Sequence, residues 1–131
     1  MDELVHFIKS KINIDDRDLE CILSYFKKIS FKRDAYVLRE HHYSTNYYFV
    51  KPGGVRIWFD KGGEQVTAWL IFENDFFAEL SGLKSDNPTQ FNIQAITDTT
   101  LLAIDKNSMG ICSKNFRNGN ASADSFGKML F

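Results

Sequence analysis

The chain has 131 residues and a mass of 15.1 kDa, the size of one domain. Its 44% hydrophobic and 25% charged residues are ordinary globular values and exclude a disordered, collagen-like or coiled-coil chain. A formal charge of -1 lacks the basic footprint of a nucleic-acid binder, so these residues are not expected to contact DNA directly. Aromatic content of 15%, including twelve Phe, favours an aromatic-rich β core over a Leu/Ala bundle.

Leu4, Val5, Ile8 and Ile12 repeat at helical spacing with Phe7 on the flank, which predicts a short amphipathic helix near the N-terminus. A second helix follows Asp15, a good N-cap. Ile14 and Leu19 are placed for a hydrophobic staple, and Leu19, Ile22, Leu23 and Phe26 form the apolar stripe. From residue 27 the period changes to two. Strands are predicted at 35–40, 47–51, 55–60, 66–72, 91–95 and 99–104, short β-branched and aromatic runs separated by turn residues. Such strands build an antiparallel sandwich or barrel. Asp60-Lys61-Gly62-Gly63 reads as a hairpin turn, with Pro52-Gly53-Gly54 turning the chain before it. Period-two alternation puts Val55, Ile57 and Phe59 on the inward face and Arg56, Trp58 and Asp60 on the other. After Asp105, residues 106–114 read as a short helix, Asn118-Gly119-Asn120 breaks it, and 121–131 carries Phe126, Met129 and Leu130 at helical spacing.

This order resembles a cyclic-nucleotide-binding-like domain, in particular the sensor domain of the Crp/Fnr family of bacterial transcription regulators. The resemblance rests on Tyr47-Tyr48-Phe49-Val50-Lys51-Pro52-Gly53 followed by Val55-Arg56-Ile57, the hairpin into Glu64-Gln65-Val66-Thr67, Asp75-Phe76-Phe77-Ala78-Glu79-Leu80, and Ile93-Gln94-Ala95 ahead of Thr100-Leu101-Leu102-Ala103-Ile104. It implies a mainly β fold with flanking helices, an antiparallel β-roll (double-stranded β-helix, jelly-roll-like). Residues 1–26 would supply the N-terminal helices, 27–105 the roll, and 106–131 the C-terminal helices of a single domain. The resemblance further implies a non-enzymatic sensor with a cyclic nucleotide or another small anion as effector; a cytoplasmic location is expected because the sequence shows neither a signal-peptide pattern nor an apolar stretch of membrane-span length. The long dimerisation helix of such regulators reads here as cut short, and no helix-turn-helix domain follows. The helix at 121–131 is expected either to dimerise with its twin or to fold back on the roll.

In the resembling family Phe-Gly-Glu-Leu opens a phosphate-binding cassette. Helix N-terminal amides hold the phosphate, Glu accepts from the ribose hydroxyl, and an Arg about ten residues later neutralises the charge. The cassette-like residues here are Phe77, Ala78, Glu79, Leu80, Thr89 and Gln90. Ala78 replaces the Gly, and Thr89 and Gln90 stand where the Arg and its polar neighbour would be. Loss of one partner of a buried charge pair costs roughly 2 to 5 kcal/mol, so cyclic AMP is not expected to bind in the usual manner. If the loop keeps the family geometry, Thr89→Arg should restore some phosphate affinity. Glu79 reads either as a ribose ligand or as a carboxylate favoured at the start of a one-turn helix.

Other chemistry is weaker. His41-His42 are adjacent and point to opposite faces of an extended segment, which fits a solvated loop better than a metal site. The cupin metal pattern does not occur, and no Gly-x-Ser-x-Gly turn supports a Ser/His/Asp triad. Trp58 and Trp69 read as core or barrel-rim aromatics. Cys21 and Cys112 read as reduced thiols, although a pair could form in principle. The alternative to a sensor is an interaction or structural module that retains the fold but binds no ligand. A polar cavity beside Glu79 would favour sensing, and packing of Phe76, Phe77 or Phe91 into that space would favour the alternative.

Overall fold

The computed structural model describes residues 2–79, 81 and 86–113; Leu80 and the segment 121–131, on which two of the expectations above fall, lie outside them. Helices α1 (Asp2–Lys11) and α2 (Asp16–Tyr25) precede eight strands. These are β1 (Lys27–Phe31), β2 (Tyr36–Leu38), β3 (Asn46–Val50), β4 (Gly54–Lys61), β5 (Glu64–Phe72), β6 (Phe76–Ala78), β7 (Asn92–Ala95) and β8 (Thr99–Asp105). Helix α3 (Lys106–Ser113) follows. The strands form two antiparallel four-stranded sheets, ordered β1-β8-β3-β6 and β2-β7-β4-β5.

Side-chain alternation divides the interior into two layers. Along β3, Phe49 faces the helices, whereas Tyr48 and Val50 face the second sheet; β8 divides Leu102 and Ile104 from Leu101 and Ala103 in the same way, and β6 divides Phe76 from Phe77. The first sheet is therefore covered on both faces at these strands, which explains their almost unbroken apolar runs. On the helix side Leu4, Ile8, Leu19 and Ile22 pack on Phe49 and Phe76, with the Phe7 ring 5.6 Å from Phe49 and 5.7 Å from Phe76. Between the sheets lie Leu38, Val55, Ile57 and Ile93.

The local readings hold. Asp15 caps α2, its Oδ1 accepting from the Asp18 amide at 2.9 Å. Lys61 pairs with Glu64, so Gly62 and Gly63 form the two-residue hairpin turn at φ of 62° and 91°, and the Gly63 amide donates to Asp60 Oδ1. Val55 and Ile57 are buried, Phe59 is half-buried and Arg56 stays on the outer face, donating to Thr67 and Gln65. Trp58, also on that outer face, is nonetheless buried, with Arg56 over its ring and its Nε1 donating to Gln94.

Two strands were not among those expected. β1 is an edge strand, exposed at four of its five residues, and β6 has only three residues, so neither carries an alternating apolar pattern. The cysteine reading is corrected as well. Cys21 on α2 and Cys112 on α3 are 91 residues apart, yet their Cα atoms lie 5.9 Å from each other and their sulfurs are paired as a disulfide. Both residues pack at the helix-side core, which brings together two positions that have no local relation.

Candidate functional site

The site is built where β6 leaves the first sheet and the chain returns to β7. Phe77 is held between the sheets by stacking on Tyr48, with ring centroids 5.0 Å apart. Ala78 pairs with Tyr47 at the end of the strand. Glu79 then turns onto its own loop: the Ser81 amide donates to Oε2 at 3.0 Å and the Ser81 hydroxyl to Oε1 at 3.2 Å. Both carboxylate oxygens are thus engaged by the same residue, Ser81. The Asn87 amide closes the loop on the Ser81 carbonyl.

Thr89 is 1% exposed. Its amide donates to the His42 carbonyl at 2.9 Å, its carbonyl accepts from the His41 amide at 2.7 Å, and its Oγ1 accepts from the Phe91 amide at 3.0 Å. Thr89 is therefore a structural clasp between the cassette return and the loop after β2. Gln90, beside it, is exposed. His41 and His42 enter the site through these backbone bonds, while the His41 imidazole is solvated, 3.9 Å from Glu40.

The sequence reading missed an aromatic cluster. The register runs Ile57 opposite Trp69 and then Trp58 opposite Thr67, leaving Ala68 as the extra residue of a bulge. Residues directly opposite in an antiparallel pair share a face, so Trp69 lies on the inward side with Ile57, and Phe59 lies there with Val66. Phe91 meets both: its ring is 5.9 Å from Phe59, edge to face, and 5.8 Å from Trp69. Trp69 remains 55% exposed, as expected of a rim position. Two open clefts flank this cluster. One of about 420 Å³ is lined by Glu40, His41, Phe59, Asp60 and Pro88 to Phe91; the other, about 480 Å³, by Ser81, Asn87, Pro88, Gln90 and Phe91.

Two four-stranded antiparallel sheets packed face to face, with helices on the outer side of the first, define a β-roll of the double-sheet type. The match to the cyclic nucleotide-binding domain covers residues 28–114, and the chain belongs to that family. Solved structures of similar fold include the catabolite activator protein of Thermus thermophilus, with 22% identity and a TM-score of 0.68 over 78% of this chain and 48% of that one. The sensor domain of the transcriptional regulator DNR from Pseudomonas aeruginosa matches with 17% identity and a TM-score of 0.69, over 78% of this chain and 69% of that one. The regulatory domain of Toxoplasma gondii PKA with cAMP matches with 17% identity and a TM-score of 0.68, over 76% of this chain and 38% of that one. The chain thus spans about half the length of the Thermus protein. No match was found among the curated proteins.

Proposed function

We propose that this chain is the non-enzymatic ligand-sensing domain of a Crp/Fnr-type transcription regulator, cytoplasmic, with a cassette that does not hold cyclic AMP in the family's usual way. The observation that carries the reading is Thr89. At the position expected for the phosphate-neutralising Arg stands a buried side chain whose oxygen is already engaged by the Phe91 amide. Glu79 supports it, since both of its oxygens are turned onto Ser81. At these two positions a phosphate would meet no guanidinium at Thr89, and a ribose would meet a Glu79 whose oxygens both accept from Ser81. Contact with DNA falls to other parts of such a regulator, and the segment 121–131 is expected either to dimerise with its twin or to fold back on the roll.

The test is thermal unfolding and calorimetry with cyclic AMP, cyclic GMP and small anions. A ligand at a hundredfold its dissociation constant adds about 2.7 kcal/mol of stability, a shift easily read. The expected result is no shift with micromolar cyclic AMP; a clear shift would refute the reading of the cassette.

A second reading has its own support. Phe91 packs against Phe59 and Trp69 on the inward face, which takes up part of the space a ligand would use. On that reading the chain is an interaction or structural module that keeps the fold without a ligand. Phe91→Ala separates the two, because it would widen an existing ligand site but would only weaken the packing of a filled one.

A further inference from the structure

We propose that Cys21 and Cys112 form a reversible thiol–disulfide device that determines whether α3 is tied to α2. Helix α3 follows β8 without a break, and its first turn is fastened to the roll. The Lys106 amide donates to the Thr45 carbonyl at 2.8 Å, and Asp105 accepts from both the amide and the hydroxyl of Ser108. The far end of the helix is held differently. Among its described side chains Met109 and Cys112 are buried, while Ile111 is 51% exposed. An eight-residue helix is marginal by itself, and the covalent link ties its last turn to α2. Opening the bond leaves the first turn capped and loosens the last one. The redox state therefore acts on the last turn of α3.

The chemistry has a direction. Cys112 is 1% exposed, whereas Cys21 is only half-buried, so Cys21 is the more accessible partner and the one on which an entering thiolate is expected to attack. Attack there breaks the S–S bond, and Cys112 departs as a thiolate that takes up a proton. The second thiol of a dithiol reductant then displaces Cys21 from the mixed disulfide. In total the pair gains two electrons and two protons and the dithiol becomes a disulfide; a disulfide oxidant reverses the sequence. Disulfides in reducing compartments are commonly transient and redox-sensing, which agrees with a site accessible from one side only. The signalling role of the device rests on the sensor reading above; the thiol chemistry does not.

The experiment uses the whole chain, oxidised with glutathione disulfide or reduced with dithiothreitol, with the cysteine state verified by alkylation and peptide mass mapping. Amide hydrogen exchange is then followed in 106–113 and, for comparison, in β3 and β8. The expected result is a linked Cys21–Cys112 peptide in the oxidised protein and, after reduction, exchange in 106–113 faster by at least about tenfold with β3 and β8 unchanged. Cys21→Ser should behave like the reduced wild type under both conditions. The proposal is overturned by rapid alkylation of both cysteines in the oxidised protein, by unchanged exchange in 106–113 after verified reduction, or by equal acceleration in β3 and β8, which marks a general staple. None of these results bears on ligand binding, which the nucleotide titrations decide separately.

Discussion

Gly53 is the position where a single added methyl should do the most harm for its size. The turn from β3 to β4 crosses the start of β8: the Lys51 amide donates to the Thr100 carbonyl, and the Thr100 amide to the Pro52 carbonyl. Thr99, 2% exposed, accepts from the Gly54 amide at 3.2 Å and lies 3.0 Å from the Gly54 carbonyl. Gly53 has φ of 102°, and a Cβ built there would stand 2.5 Å from Thr99 Oγ1, 2.8 Å from the Asp98 carbonyl oxygen and 2.9 Å from Thr99 Cα. Two of those atoms are backbone, so no rotamer change relieves the overlap. The unfavourable φ costs about 1 to 3 kcal/mol, and shifting Thr99 loses hydrogen bonds worth about 1 kcal/mol each, so Gly53→Ala should lose roughly 3 to 4 kcal/mol.

Gly63→Ala is the control. It has a similar φ of 91°, but nothing lies within 4 Å of the added carbon. Its cost is the backbone term alone, about 1 to 2 kcal/mol. At several degrees per kcal/mol for a domain of this size, the two variants should differ in Tm by roughly 5–10 °C. Thermal and urea unfolding measure this directly. Equal losses at the two glycines would refute the claim that the approach of β8, rather than φ, makes Gly53 special.

Three further outcomes are expected. The Asp105 carboxyl is held below the usual carboxylate range, chiefly by the Ser108 amide, which outweighs the opposing effect of burial, with the Ser108 hydroxyl adding to the lowering. A pKa lower in the folded state contributes stability that is fully present above the unfolded value, near 4, and is lost as pH falls through the folded one. Acid unfolding of Asp105→Asn should therefore show a weaker pH dependence below about pH 4, and Asp105→Ala should lose about 1 kcal/mol at neutral pH by urea denaturation. Phe49→Ala, at a site with 0% exposure between the helices and the first sheet, should cost about 3 to 5 kcal/mol in the same assay. Thr89→Arg carries two opposed expectations: phosphate affinity in a cyclic AMP titration, and a stability penalty of about 1 to 3 kcal/mol because the clasp to Phe91 is lost and a charge enters a buried position. A variant as stable as the wild type would show that the Thr89 side chain, with its Oγ1 bond to the Phe91 amide, contributes little to holding this loop.

What could be read along the chain was local. Asp15 before an apolar stripe, and two glycines between alternating strands, act through bonds spanning three or four residues, and the structure places them as the sequence implies. The roll itself was legible because six of its strands carry β-branched and aromatic runs. The family followed from motifs between Tyr47 and Ile104, and its match covers residues 28–114. Tertiary structure decided what depends on register and on distant approach. β1 exists because Lys27 to Phe31 pair with Thr99 to Ala103, although their own pattern is almost wholly exposed. The bulge at Ala68 turns Trp69 to the inward face beside Phe91, and no property of Trp69 alone reveals which face it takes. Thr89 looked like a vacancy in a binding motif and is a buried clasp, because the loop after β2 comes to it. Cys21 and Cys112 meet across 91 residues only because α2 and α3 both pack on the same face of the first sheet. Propensity and periodicity are properties of neighbours in sequence. A register, a bulge and a disulfide are properties of neighbours in space, and they exist only once the sheets have closed.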